Sequence, residues 1–384
     1  MRAWYFSETA YPDLPDPETY DSVRVTLPSK HYDPRKGADI YHQRLDEWCA
    51  ADEFGLDIMM NEHHQTATCT VPAVPLMASI LARQTRNARL LLLGNPLANR
   101  RQPIRVAEEM AMIDVISRGR LECGFVRGVP FELPSGNSNP MRMKERLWEA
   151  HDLIVKAWTS HEGPFNWEGK FFHHRQVNVW PRPWQDPHPP IWITTGNPDN
   201  ATEIAEKGHV GATFITGFDG CKAVFDGYRR GWAQAHKTPV PLDRLAYLGF
   251  CYVGDTDEAG YAGAEKLLWY LTANKSPPHF RNFPGYMTPE ARASVLKAGV
   301  PKLEDHRIPD VQTQIRVGNM FAGNPDTVFE QIKKFYDHVG GFGNLMFMGQ
   351  AGHMKSAETI KGLKLFADEV MPRLKELKTS SATA

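Results

Sequence analysis

The chain has 384 residues, of which 42% are hydrophobic, so it has enough apolar side chains for a folded core and is not of the disordered class. Its formal net charge of −1 excludes the strongly basic surface by which proteins bind nucleic acid or anionic membranes. Its five cysteines are scattered and form no CxxC pair, which disfavours a zinc site and a disulfide framework.

The amino-terminal residues bear on localisation. The first residues, MRAWYFSET, place Glu8 where a signal peptide needs an apolar stretch. No run along the chain approaches the roughly 18 apolar residues that span a bilayer. The sequence therefore predicts a cytoplasmic protein with reduced cysteines and with no membrane or nucleic-acid partner.

Short apolar runs alternate with amphipathic helical patterns along the chain, which is typical of βαβ units around a parallel sheet. The predicted strands are Ala3–Ser7, Asp57–Asn61, Leu90–Gly94, Leu121–Val126, Ile191–Thr195, Val210–Ile215, Leu245–Val253 and Asn344–Met348. The predicted helices are Ala38–Phe54, Ala73–Arg86, Pro103–Gly119, Met143–Trp158, Pro198–Lys207, Asp257–Ala273, Pro325–His338 and Ala357–Leu374.

Three stretches lack this pattern. Residues 10–36 are rich in proline and predict a loop insertion, and residues 160–190 predict an excursion of loops and short extended pieces. Residues 276–323 have no clear period, and connections of that length are usually functional, so they are the candidate lid. The repeating units predict a single domain over residues 1–384, a (β/α)8 TIM barrel. A doubly wound open sheet is the alternative, but neither GxGxxG nor GxxxxGK[ST] occurs.

The first candidate site cluster is Glu62-His63-His64, directly after the second predicted strand. In a barrel the active site lies at the carboxyl ends of the strands, and a histidine there is suited to proton transfer near neutral pH. The alternatives are strand-end histidines bonded to neighbouring backbone, or a metal site. Alternation along an extended segment would point the two side chains apart, and no HxxxH or HExxH occurs.

Three further clusters follow later strands. Gly94-Asn95 lets backbone approach a flat ligand and offers an amide, although an ordinary turn explains it too. Arg127 is suited to a phosphate or an electron-rich ring, or else to a salt bridge with Glu132. The run Gly196–Asn200 leads into a helix, where Asn197 or Asn200 either caps the helix or helps its backbone N–H groups to bind a phosphate.

Together these motifs resemble the bacterial luciferase-like monooxygenase family over nearly the whole chain. The most specific matches are EHH at Glu62–His64 and PIRVAEEMAMIDVISRGRLECGFVRG at Pro103–Gly128. The further matches, in chain order, are PHPPIWI at Pro187–Ile193, the turn at Asn197–Gly208, GNPDTV at Gly323–Val328 and LKLFADEVMPRLK at Leu363–Lys375.

The resemblance implies a barrel that holds FMN across the carboxyl ends of its strands, with no metal. It makes His63 and His64 the catalytic candidates, with His63 at the position of the family's active-site histidine. It also implies a non-prolyl cis peptide at Gly94–Asn95. The implied cofactor-binding residues are Glu62, Gly94, Asn95, Arg127, Gly196, Asn197 and Asn200.

The implied reaction uses reduced FMN as a co-substrate. With O2 it gives a 4a-hydroperoxyflavin, which oxygenates a small organic substrate while the candidate lid excludes water. Aromatic residues near the strand ends, Trp4, Phe6 and Phe214, predict a largely apolar substrate. The family further implies a separate flavin reductase and a homodimer formed through barrel helices.

The sequence also departs from luciferase itself. Val126 stands where luciferase has a reactive cysteine, and the phosphate turn has Asn where relatives more often carry Ser or Thr. The long loop at residues 11–34 is typical of non-luminous members, so light emission is not predicted. The alternatives are a deazaflavin-dependent oxidoreductase on the same barrel and a non-catalytic flavin-binding protein. A metal-dependent hydrolase is disfavoured because no ligand spacing is present.

Overall fold

The computed structural model describes residues 1–16, 19–273 and 310–377, together with residues 289 and 293. In chain order its strands are β1 (Arg2–Ser7), β2 (Asp57–Met60), β3 (Leu90–Pro96), β4 (Leu121–Val126), β5 (Phe165–Glu168), β6 (His173–Val177), β7 (Ile191–Thr194), β8 (Val210–Phe214), β9 (Leu245–Val253), β10 (Met320–Gly323) and β11 (Asn344–Gln350). All of them except the β5–β6 hairpin form one parallel sheet. Since β8 pairs with β9 and β11 pairs with β1, the sheet closes, and the predicted (β/α)8 barrel is confirmed.

Strand β10 is an addition to the eight-stranded barrel. Its residues Met320–Gly323 pair with Phe250–Val253, the second half of β9. The first half of β9 pairs with β8. Leu248 and Phe250 of β9 are two residues apart, so their backbone polar groups face the same edge of the strand. At that edge Ile215 N–H donates to Leu248 O, and Phe250 N–H donates to Asn319 O. One edge of β9 therefore holds β8 near the barrel floor and β10 near the mouth.

The helices lie outside the barrel and follow its strands. They are α1 (Pro34–Glu53), α2 (Val74–Gln84), α3 (Pro103–Ser117), α4 (Met143–Thr159), α5 (Pro198–Glu206), α6 (Gly217–Ala235), α7 (Asp257–Leu267), α8 (Trp269–Ala273), α9 (Val311–Val317), α10 (Pro325–His338), α11 (Ser356–Leu365) and α12 (Met371–Lys375). A π-helical turn over Phe366–Val370 joins α11 to α12. Helix α6 was not predicted from the sequence, and the predicted helix Asp257–Ala273 is divided into α7 and α8.

The three irregular stretches have different outcomes. Within residues 10–36 the described part is loop with one short 3-10 turn until α1 begins at Pro34. Residues 160–190 hold the β5–β6 hairpin. The last part of the candidate lid has regular structure, because residues 311–317 and 320–323 form α9 and β10. The rest of the candidate lid, residues 276–309, lies outside the described residues apart from positions 289 and 293.

Side chains along each strand point alternately into the barrel and outward to the helices, so the hydrophobic core has an inner and an outer layer. In β1, Trp4 and Phe6 point into the barrel, while Ala3 and Tyr5 pack against the helices outside it. The indole N–H of Trp4 donates to Asn344 Oδ1 at 3.1 Å, which satisfies this polar group at the barrel floor. In the described chain the barrel interior is thus filled below, and the cavity lies at its mouth.

All five cysteines are free thiols. Cys49 on α1 is half-buried, and the other four, Cys69, Cys123, Cys221 and Cys251, are buried. In the described ranges, no helix combines the length and the hydropathy needed to cross a membrane.

Candidate active site

A cavity of about 840 Å³ lies at the carboxyl ends of the barrel strands. All eight strands contribute a side chain to its wall, and most of these side chains are apolar: Phe6, Met59, Leu93, Val126, Ile193, Ala212, Leu248 and Met348. Ligand sites usually occupy roughly 300–1,000 Å³ and are mainly apolar with a few placed polar groups. This cavity is therefore large enough for a cofactor of several rings together with a small substrate.

The two histidines of the EHH motif converge on one carboxylate. Glu132 Oε1 lies 2.8 Å from His63 Nδ1, and Glu132 Oε2 lies 3.5 Å from His64 Nδ1. The expectation that the two rings point apart is wrong, because β2 ends at Met60 and the histidines belong to the loop that follows it. Glu132 is 3% exposed, so this pairing is shielded from water.

His63 is the member of this pair that faces the cavity. It lines the cavity wall, whereas His64 does not. Since its Nδ1 is held by Glu132, its Nε2 is left for a ligand, and within the described chain no protein group binds that atom. A ring held at one nitrogen by a buried carboxylate is oriented for proton transfer at the other.

Glu62 anchors the loop that carries the histidines. Its Oε1 accepts from Arg100 Nη2 at 2.5 Å and lies 3.3 Å from His64 Nε2. Its Oε2 accepts the backbone N–H of Val74 at 3.0 Å, at the start of α2. Glu62 lines the cavity, but its carboxylate already binds three partners and fixes the loop between β2 and α2.

The charges of this cluster stabilise one another. Hydrogen bonds from Glu132 and then Glu62 raise the pKa of His64 to about 9, despite the opposing effect of burial. Burial by itself would raise the pKa of Glu132, but hydrogen bonds from His63 and His64 lower it to about 2. His64 is thus an imidazolium and Glu132 a carboxylate across the neutral range.

This pairing predicts a pH dependence of stability. Because the pKa of His64 is raised from 6.5 to about 9 by folding, its contribution is complete below pH 6.5 and is lost as the pH rises through 9. Since a quarter of its side chain is exposed, we expect the free energy of unfolding to fall by on the order of 2 kcal/mol over that interval in urea titrations. A His64→Gln protein should lack this part of the decline, and an unchanged decline in that variant would contradict the assignment.

Gly94 and Asn95, the cluster at the end of the third barrel strand, are placed differently from what the sequence predicts. The non-prolyl cis peptide lies between Leu93 and Gly94, one bond earlier than predicted. Gly94 lines the cavity. The side chain of Asn95 is fully buried outside the cavity wall, with its Nδ2 3.4 Å from Gly124 O and 3.8 Å from Met110 Sδ on α3. The structure therefore does not bring the Asn95 amide to the cavity.

The segments that follow the fourth and fifth barrel strands bring cations and hydroxyl groups to the cavity. Arg127 follows β4 and lines the cavity, as does Lys144 of α4, whose Nζ is 2.8 Å from Glu203 Oε2. Thr194, Thr195 and Gly196 follow from β7. At Gly196 no atom of the described chain, apart from its own and the two adjacent residues, lies within 4 Å of the position that a Cβ would take, so the backbone there can be approached by a ligand.

Helix α5 begins with a side-chain cap. Asn197 Oδ1 accepts the backbone N–H groups of Asp199 at 2.8 Å and Asn200 at 3.2 Å. The capping interpretation of Asn197 is therefore confirmed, and these two N–H groups are already used by the protein. Asn197 and Asn200 both line the cavity, so the capped start of α5 forms part of its wall.

Several wall residues were missed from the sequence. Glu132 was considered only as a partner of Arg127, whereas it binds both histidines. Glu8 follows β1 directly, so the strand-end rule that selected the other clusters would also have selected it. Arg24 lies in the proline-rich loop and Tyr270 in α8, and no local pattern marks either. Among the residues that the structure describes, no group of three or more His, Cys, Asp or Glu is arranged to hold a metal ion.

Comparison with known proteins identifies the family. A family model described as luciferase-like monooxygenase matches residues 25–341. This chain belongs to the luciferase-like monooxygenase family. The resemblance seen in the sequence is thereby confirmed, and the chain is an oxidoreductase, since its named relatives in this family are flavin-dependent monooxygenases.

This luciferase-like monooxygenase is similar to proteins with different cofactors. It is 29% identical to the oxygenase component of the flavin-dependent trigonelline monooxygenase of Acinetobacter baylyi, over 90% of this chain and 93% of the relative. The oxygenating constituent of 3,6-diketocamphane monooxygenase from Pseudomonas putida, solved in complex with FMN, superposes with a TM-score of 0.72 at 21% identity, covering 90% of this chain and 95% of that one. An F420-dependent secondary alcohol dehydrogenase superposes with a TM-score of 0.67 at 16% identity, covering 96% and 98%.

Proposed function

We propose that this chain is the oxygenase component of a two-component system that uses reduced FMN and O2 to oxygenate a small organic substrate. The observation that carries the proposal is His63, held by the buried Glu132 at the wall of an apolar cavity that all eight barrel strands line. The similarity to an oxygenase component and to an FMN-bound monooxygenase supports it.

The residues present suit a flavin mononucleotide. The apolar wall at Met59, Leu93 and Leu248 suits a flat ring system, and the open backbone of Gly196 beside Arg127 suits a phosphate. Asn197 and Asn200 add amides to the same wall. When bound, reduced flavin supplies the two electrons by which O2 is split between the substrate and water.

The protein's own contribution is a fixed proton donor and acceptor and a dry cavity. Glu132 fixes the tautomer of His63, so that Nε2 holds or transfers a proton at the cavity wall. The imidazolium of His64 remains bound to Glu132 and to Glu62, which keeps a positive charge behind His63. The apolar floor keeps water away from the reacting atoms.

A second copy of this chain is the partner that we propose for α2 and α3. These neighbouring helices expose large apolar side chains, of which Leu76 is 68% and Met112 is 55% exposed. Exposed apolar groups clustered on adjacent helices are typical of a subunit interface. The mass in solution, measured by light scattering, should be that of two chains, and a double variant Leu76→Glu, Met112→Glu should have the mass of one. A parent protein with the mass of one chain would contradict this.

Flavin binding tests the proposed function. Anaerobic titration should show reduced FMN binding at least about tenfold tighter than reduced riboflavin, since a phosphate bound by an arginine contributes charge-assisted hydrogen bonds. An Arg127→Gln variant should lose this preference while its affinity for riboflavin stays within about twofold of the parent. With NADH, a flavin reductase and O2, the parent should incorporate one oxygen atom from ¹⁸O2 into its substrate.

The deazaflavin coenzyme F420 is the second candidate cofactor. An F420-dependent dehydrogenase superposes on this fold over 98% of the dehydrogenase chain, which favours it. The same titration decides between the two cofactors. If reduced F420 bound at least about tenfold tighter than reduced FMN, the monooxygenase proposal would be refuted.

A further inference from the structure

A second polar cluster lies in the cavity wall, apart from the histidines. It consists of Glu8 after β1, Arg24 from the loop between β1 and α1, Asn61 after β2 and Tyr270 from α8. Glu8 is 1% exposed and Arg24 is 5% exposed, so both charges are shielded from water. Charged groups this deeply buried are costly unless a partner or a ligand compensates them.

Arg24 is bound on only part of its guanidinium. Its Nη1 donates to Thr68 Oγ1 at 3.0 Å, and its Cζ lies 4.5 Å from the ring centre of Phe131. Its Nε is buried and has no hydrogen-bond partner. No carboxylate of the described chain lies within 4 Å of it, so its positive charge has no ion-pair partner there.

Glu8 carries the opposite charge in the same cluster, but it makes no direct ion pair with Arg24. Its carboxylate accepts from Asn61 Nδ2 at 3.1 Å, and burial together with the nearby Glu8 charge raises the pKa of the Tyr270 hydroxyl. Asn61 thus holds Glu8 in place, while Arg24 lines the cavity with donor capacity left over. A guanidinium presents its N–H groups as a planar fork that matches a carboxylate.

We propose that Arg24 binds a carboxylate of the substrate, so that the compound oxygenated is a small organic acid. Its apolar body would pack against Phe131 and Phe6, which line the same cavity. This inference rests on the proposed function and makes it more specific, because a purely apolar substrate would leave Arg24 without a direct ion-pair partner among the described residues. It also gives the proline-rich loop a role in substrate specificity.

Benzoate and benzamide are the probes for this site, because they have the same size and differ in charge. We expect calorimetric titration of the protein, loaded with oxidised FMN, to show benzoate binding at least about tenfold tighter than benzamide. Arg24→Gln should weaken benzoate binding at least about tenfold and leave benzamide within about twofold of the parent. Arg24→Lys, which keeps the charge but loses the fork, should bind benzoate with intermediate affinity.

The matched control is Arg105→Gln, since Arg105 is exposed on α3 and pairs with Glu108 and Glu109 of the same helix. It should bind both probes as the parent does. Equal affinity of the parent for the two probes would overturn the inference, and this comparison requires no variant to fold. Failure of the parent to bind reduced FMN in the anaerobic titration would instead refute the proposed function.

Discussion

Replacing Glu132 by glutamine should lower the turnover number of the enzyme by about a hundredfold or more. Glutamine has nearly the same volume, so the loop after β2 keeps its packing, but the charge that fixes the His63 ring is lost. His64 loses the partner that contributes most to its raised pKa. Its pKa, read from histidine NMR signals, should therefore fall from about 9 towards 6.5.

An exposed carboxylate outside this cluster provides the control for the Glu132→Gln experiment. Glu145 on α4 is exposed and pairs with Lys170 and Arg142, away from the histidines. Glu145→Gln should keep the turnover number within about twofold of the parent, because exposed ion pairs contribute little. If Glu132→Gln retained both the parental turnover number and the parental pH profile, Glu132 would have no role in positioning His63.

Substituting Gly124 by alanine should destabilise the barrel by about 3 kcal/mol. A methyl group at Gly124 would lie 2.5 Å from Leu92 O and 2.6 Å from Leu93 Cα, which are backbone atoms of the adjacent strand β3. Backbone atoms inside a closed barrel cannot move aside as a flexible side chain can. The midpoint of urea unfolding should therefore fall, and flavin affinity should fall with it, because Leu93 and Gly94 line the cavity.

Gly196→Ala is the control for that measurement. Apart from the adjacent residues, no atom of the described chain lies within 4 Å of the added methyl group, so the free energy of unfolding should stay within about 0.5 kcal/mol of the parent. Unfolding of Gly124→Ala at the parental urea concentration would mean that β3 and β4 can separate without cost.

The fold could be predicted where burial leaves a strong periodic signal. Strands Leu121–Val126 and Leu245–Val253 and the helix Pro325–His338 have the bounds that the sequence indicates. The helix α6 was missed because glycines interrupt its pattern. Two of them, Gly227 and Gly231, face α5, where a Cβ would meet Pro198 O and Thr202 O at 2.3 Å. The close packing of α6 against α5 thus requires glycines, and glycines in a sequence argue against a helix.

The site residues that could be predicted are those that directly follow a barrel strand, because the active site of a barrel lies at the carboxyl ends of its strands. His63 follows β2, Arg127 follows β4, and Gly196 and Asn197 both follow β7, and the structure places all four in one cavity wall. The rule does not give side-chain direction, so it included Asn95, whose amide lies outside that wall. It also could not find residues such as Arg24, which reach the cavity from a long loop and depend on the tertiary fold for their position.

The burial of the thiols bears on how long such an enzyme survives its own chemistry. Reduced flavin and oxygen generate some hydrogen peroxide, which oxidises thiolates much faster than thiols, because the thiolate is the nucleophile that attacks the peroxide oxygen. Burial raises the pKa of Cys69, Cys123 and Cys221 well above the usual value, and burial also raises the pKa of Cys49 and Cys251. The enzyme therefore exposes almost no oxidisable sulfur anion, and sulfenic acid should form on it only slowly over many catalytic cycles.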